Sequence, residues 1–251
     1  MKPNTSANAG VLSGAEPNGR WTINNATLKL LIEMAYTVQD FQIVGGSNWL
    51  GTDKWDIQAK AHEGSIPTDA GAPRPTAPNH PLTLMLQSLL EERFQLKVHR
   101  EIREQPVYEL TIAKSGSKMR RSTHQDELTV PEPPQGQRPR QGSIRLNVIR
   151  GDLEANGVPI AQLGLVLSDS RILGRAVIDR TGLNGLYDFS LKWMPDVPSG
   201  LLPPGVQLPP PDLSAPSLVT ALEEQLGLKL ESSKGPVEVL VIDSVQRPSE
   251  N

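Results

Sequence analysis

The sequence has no cysteine, and aromatic residues make up only 4% of it. Without cysteine there is no thiol nucleophile, no disulfide and no thiolate metal site. The compartment stays open, because cysteine-free chains occur in exported bacterial proteins too. Histidine is scarce: His62, His80, His99 and His124 are all there are. None is spaced as His-x-His or His-x-x-x-His, so no metal is implied. Net charge is −3, which argues against a nucleic-acid binder, whose affinity rests on clustered cations. No run approaches the roughly 20 apolar residues of a membrane helix. The opening Met1-Lys2-Pro3-Asn4 has no apolar h-region, so no signal peptide is expected in this chain. Gly45-Gly46-Ser47 matches neither the dinucleotide nor the P-loop pattern, and no cofactor is implied. Gly182-Leu183-Asn184-Gly185 fails the same patterns and reads as a tight turn between strands.

What is present is enough for a substantial core: 251 residues, 37% of them apolar, with turn-forming residues abundant at 21 Gly and 23 Pro. Part of the chain is written twice, 132 positions apart. Gly19, Asn24, Leu28 and Leu31 answer to Gly151, Asn156, Ile160 and Leu163. Trp55-Asp56-Ile57 answers to Tyr187-Asp188-Phe189, and residues 86–98 align without gaps on 218–230. Pro106-Val107-Tyr108-Glu109-Leu110 answers to Pro236-Val237-Glu238-Val239-Leu240 at a spacing of 130. Blocks in one order at a near-constant spacing point to an internal duplication.

Periodicity gives each copy its elements. Residues 21–24 read as a short strand, and Asn25 is placed to cap a helix over 26–36, whose Leu28, Leu31, Ile32 and Ala35 follow helical spacing. Residues 41–44 read as a strand ended by Gly45-Gly46. Over 54–61, Trp55, Ile57 and Ala59 alternate with Asp56, Gln58 and Lys60, as in a half-buried strand. Residues 82–94 form a second apolar helical stripe, and 95–103 with 106–113 read as a hairpin. The expected fold is α+β: a duplicated β-α-β-β-α-β-β unit with mainly antiparallel sheets packed by helices. The expected organisation is a first unit over 1–114, a basic Pro/Gln-rich linker over 115–142, and a second unit over 143–251. A Pro-rich insertion at 195–216 matches a Pro/Gly/Ala-rich loop at 62–80.

No sequence motif carries chemistry alone. His99 lies in a strand beside Arg100 and Glu101, where a solvent-facing histidine is the ordinary case and an acid–base role the sharper one. Asp56 and Asp188 are the acids matched by the repeat. They read as polar residues on a wet strand face, or as a pair facing each other across a cleft. Ser115-Gly116-Ser117-Lys118 fits the Ser-x-x-Lys spacing of serine acyl-enzymes, but in a turn-rich stretch rather than at a helix start. Trp49, Trp55, Arg100 and Tyr187 are the binding candidates, with core packing the plainer reading of the aromatics. Features common to both copies belong first to the scaffold. His99, which answers to Glu231, and Trp49, which has no aromatic counterpart, are therefore where a site is sought first.

The chain closely resembles the soil-associated secreted family, abundant in Acidobacteria, that has a domain of unknown function. The stretches that carry this are Gly45-Gly46-Ser47-Asn48-Trp49-Leu50, residues 93–101, Pro106-Val107-Tyr108, residues 177–189 and residues 227–243. The resemblance implies a bacterial protein exported behind a signal peptide in its full-length form, and supplies no activity or catalytic residue. Members of that family tend to have valine where this chain has Met1, at the end of an apolar strand, so an edge strand is expected to be missing or replaced. The leading expectation is a module that binds a small molecule, glycan or protein. The alternative is a hydrolase of esterase or lactonase type, with its site in a cleft between the two repeats.

Overall fold

The computed structural model describes residues 2–4, 12–15, 20–60, 81–123, 142–195 and 215–248. His62, His80 and His124, the 62–80 loop, residues 124–141 and most of the Pro-rich insertion lie outside them. In chain order the elements are β1 (Lys2–Pro3), β2 (Leu12–Ala15), β3 (Arg20–Thr27), α1 (Leu28–Tyr36), β4 (Ile43–Gly45), β5 (Lys54–Lys60), α2 (Pro81–Phe94) and β6 (Lys97–Ile112). There follow β7 (Arg120–Arg121), β8 (Ser143–Asn147), β9 (Asp152–Val158), α3 (Ile160–Leu167), β10 (Val177–Asp179), β11 (Tyr187–Lys192), α4 (Leu218–Ala221) and β12 (Leu228–Ser244). The fold is α+β. Its sheets have the strand orders β1-β5-β3-β2, β7-β11-β9-β8 and β10-β6-β12-β4. The described pairings are antiparallel except for β4 with β12 and β10 with β6.

Contacts gather the chain into two compact units that interleave along the sequence. Unit 1 is 1–103 with 237–251, and unit 2 is 104–236. In unit 1, Trp21, Ile23, Leu31, Ile32, Ile57, Leu86, Leu90 and Phe94 form a core together with Leu240 and Ile242 from β12. Unit 2 buries Leu153, Leu163, Leu167, Phe189, Leu191, Leu222 and Leu226 around Leu110 from β6. Apolar burial of this kind is the main stabilising term, and truncating any one of these leucines to alanine costs about 2–5 kcal/mol.

The same local geometry occurs in both units. In unit 1, Ile23 pairs with Ile57 and Ala26 with Trp55, on either side of a bulge. In unit 2, Ala155 pairs with Phe189 and Val158 with Tyr187, again on either side of a bulge. Each residue of the second set stands 132 positions after its counterpart. The bulges place Asn25 at φ 61° and Gly157 at φ 59°, and the two helix–strand junctions place Gln95 at φ 48° and Gly227 at φ 67°. These left-handed residues also stand 132 apart. Glycine adopts such a φ freely and asparagine tolerates it.

Several local expectations are corrected. Asn25 belongs to the bulge, and the cap of α1 is Thr27, whose Oγ1 accepts from Leu30 N at 3.3 Å. Of the strand expected over 41–44, the start is a 3-10 turn at Asp40–Gln42, closed by Gln39 N donating to Gln42 Oε1 at 2.9 Å. The hairpin expected over 95–113 is one continuous strand, β6. Glu104-Gln105 offers none of the Gly, Asn or Asp that a tight reversal needs, and proline at 106 suits extended backbone. Within the basic stretch after residue 114, Arg120–Arg121 form a strand beside β11. The edge beside β5 is held by Lys2–Pro3.

Candidate functional site

The two acids matched by the repeat are structural anchors. Both stand on the outward side of a strand whose inward residues are core, as strand alternation requires. In unit 1, Asp56 Oδ1 accepts from Asn25 N at 3.0 Å and from Asn4 Nδ2 at 2.6 Å. In unit 2, Asp188 Oδ1 accepts from Gly157 N at 2.7 Å. Each carboxylate thus ties down the backbone of a bulge in the neighbouring strand. Asp56 lies in unit 1 and Asp188 in unit 2, and each acts on its own bulge.

His99, on β6, is half exposed, with Nδ1 at 2.9 Å from Asp243 Oδ1 and Nε2 at 3.8 Å from Glu101 Oε2. The bond to Asp243 is the main cause that raises its pKa above the ordinary histidine value; limited desolvation opposes it, and the Asp243 and Glu101 charges reinforce it. Glu101 also accepts from Arg103 Nε two residues along the same strand. Arg100 pairs with Glu238 and donates from Nη2 to Tyr36 O at 2.8 Å. Burial, followed by the Glu91 carboxylate, pushes the Tyr36 phenol up. So His99, Glu101 and Arg100 share one stretch of β6, but each is held by a charged partner of unit 1.

The aromatic candidates are largely packed. Trp55 is 5% exposed and meets Phe94 edge-on at 5.2 Å, with no partner for its Nε1 among the described residues. Tyr187 is 8% exposed and donates its hydroxyl to Asn184 O at 3.2 Å. Trp49 is half-buried. It stacks on Phe94 at 6.3 Å and carries the Arg247 guanidinium 5.1 Å above its ring, while Arg247 Nε donates to Asp53 at 3.0 Å. These rings complete the core and its rim. The Ser-x-x-Lys spacing is likewise committed to structure. Lys118 donates from N to Leu226 O at 2.9 Å and from Nζ to Glu224 O at 2.7 Å, placing a cation on the last carbonyls of a helix.

One candidate from the sequence does border open space. Asp188 lines a groove of about 390 Å³ in unit 2, with Arg120, Glu154, Ala155, Asn156, Phe189 and Ser190. Leu153, Ala155, Tyr187 and Phe189 turn inward to the core. Glu154, Asn156, Asp188 and Ser190 consequently form the outward face of the β9–β11 pair. Arg120 hangs over it from β7 with its side chain 81% exposed, Nη2 3.5 Å from Asp188 Oδ2. The Arg145 guanidinium approaches Glu154 no closer than 4.0 Å. The groove therefore presents cationic, anionic, amide and hydroxyl groups side by side. Asp188 is legible through the repeat. Arg120 is not, because nothing local in the sequence shows that β7 pairs with β11.

Fold and groove together define an α+β protein with an open polar groove on the outer face of one sheet. The chain belongs to the family described as "Protein of unknown function (DUF3738)", whose model matches residues 29–245. No curated protein and no solved structure matches the chain.

Proposed function

We propose that this is a ligand- or protein-binding module of the bacterial envelope, exported in its full-length form, and that the groove of unit 2 is where it binds. The observation that carries this reading is the mixed lining of the groove: Arg120, Glu154, Asn156, Asp188 and Ser190 around about 390 Å³ of open space. That volume falls within the range of small-ligand sites, and convergent polar groups give such sites their specificity. The resemblance read from the sequence supports export. We further propose that units over 1–114 and 143–251, joined by the 115–142 spacer, arose by duplication. The strand registers and left-handed positions shared at a spacing of 132 support this.

The binding reading is tested by screening purified protein against peptide and oligosaccharide panels, with an Arg120→Glu variant in parallel. Retained ligands whose binding falls with Arg120→Glu support it, and ligands that bind both proteins equally place the site elsewhere. The hydrolase alternative has one observation in its favour: His99 is held at Nδ1 by a carboxylate, as a general base is oriented. Turnover of an ester or lactone that disappears in folded His99→Ala would establish it, and a flat substrate screen would remove it.

A further inference from the structure

We infer that the groove beside Asp188 takes a primary carboxamide, the group at the end of an asparagine side chain. This rests on the groove being a binding site and adds the chemistry of its ligand. Strand pairing matches positions in the two units. In unit 1, Lys2 pairs with Asp56, and Asn4 N donates to Lys54 O at 2.8 Å. In unit 2, Arg120 pairs with Asp188, and Ser122 N donates to Leu186 O at 2.8 Å. Asn4 and Ser122 thus hold equivalent places, two residues along the edge strand from the residue that pairs with the aspartate. Such diagonal neighbours are within reach of one another across a sheet face.

At that place the units diverge. In unit 1 the protein supplies its own carboxamide, and Asn4 Nδ2 donates to Asp56 Oδ1 at 2.6 Å. In unit 2 the equivalent side chain is a serine, which carries no amide. Asp188 keeps its backbone bond from Gly157, while its Oδ2 meets Arg120 only at 3.5 Å. At 81% exposure the Arg120 guanidinium is only loosely engaged, because solvent and side-chain freedom compete with a closer pair. Arg120 and Asp188 line the groove, whereas Ser122 is buried and does not. A carboxamide has N–H donors for the Asp188 carboxylate and a carbonyl oxygen for the Arg120 guanidinium. A ligand carboxylate would face Asp188 and Glu154 with like charge, and an ammonium would face Arg120. Asn156 and Ser190 remain for the flanking peptide groups of an asparagine-bearing chain.

A free small amide and a peptide asparagine offer the same group, so the probes separate them. Acetyl-Gly-Asn-Gly-N-methylamide, its aspartate counterpart and acetamide are titrated into the whole chain by isothermal calorimetry at neutral pH. The asparagine peptide is expected to bind, and the aspartate peptide to bind at least about tenfold more weakly, a difference of roughly 1.4 kcal/mol. Acetamide binding as tightly as the peptide would make a small amide the ligand; weaker binding makes it a peptide; both outcomes support the carboxamide. Arg120→Gln, at an exposed position, is expected to weaken the asparagine peptide about fivefold or more. Ser122→Asn should supply the missing amide from within and abolish binding. If that variant fails to fold, Arg120→Gln and the Asn/Asp comparison still decide. Equal binding of both peptides, no binding of the asparagine peptide or acetamide, or indifference to Arg120→Gln overturns the inference. If an oligosaccharide binds in the groove while the asparagine peptide does not, the groove survives as a site and only the carboxamide falls. If no probe binds there, both fail.

Discussion

Asp56 and Asp188 are bound to the backbone N–H groups of their bulges, at 3.0 Å and 2.7 Å. Replacing either by alanine strands an N–H at a place where strand pairing is already interrupted. Each substitution is expected to cost about 1–3 kcal/mol, measured by urea unfolding. Gly227 is more tightly constrained: its φ is 67°, and a Cβ there would collide with Gly116 O. Gly227→Ala should destabilise unit 2 by at least about 2 kcal/mol, since left-handed strain and a backbone clash add. His99 sets a pH dependence whose sign follows from its raised pKa. The ion pair with Asp243 favours the protonated ring in the folded state. Its contribution is complete below the ordinary histidine value and is lost as pH rises through the folded value. The His99 titration midpoint, followed by NMR, should fall in Asp243→Asn. At this scale the sequence was informative about identity but not about partners. Asp56 and Asp188 stood out because the repeat matches them. Arg120 did not, because its partner is fixed by a strand pairing that no local pattern encodes.

Elements were legible where periodicity was strong and length sufficient. The alternation of β5 and the apolar stripe of α2 gave their type and nearly their bounds. The misreadings lie where local chemistry competes. Asn25 looks like a cap, yet asparagine's tolerance of left-handed backbone is used for the bulge instead. Charged residues hide the continuity of β6, because Lys97 to Arg103 carry too little apolar alternation to distinguish one long strand from two short ones. The end of β11 beyond the reach of β7 shows a related device. Gln225 accepts from Lys192 N at 2.9 Å and donates to Lys192 O at 2.7 Å, so one side-chain amide does the work of a neighbouring strand. Gln225→Ala should remove about 1–2 kcal/mol and raise amide exchange at Lys192 without altering Gly157, which hydrogen-exchange NMR would resolve.

The repeat makes the halves look sequential, but the packing interleaves them. Unit 1 takes 237–251 from the end of the chain, and β4 draws its parallel partner from Leu240 to Ile242 of β12. A fragment covering 1–114 therefore lacks Leu240 and Ile242 from its core, and Asp243 from His99. It is expected to be unfolded or loosely packed, with poor amide dispersion, whereas the whole chain is expected to give a well-dispersed spectrum. This interleaving left no trace in composition, because strand order is a property of long-range pairing. The outward face of β9 and β11 is proposed as the binding surface of the molecule. Its most direct test is chemical-shift mapping on the whole chain with a ligand retained from the panels. Saturable shifts are expected at Arg120, Glu154 to Asn156 and Asp188 to Ser190. Shifts centred on His99 and Asp243, with the groove silent, would contradict it.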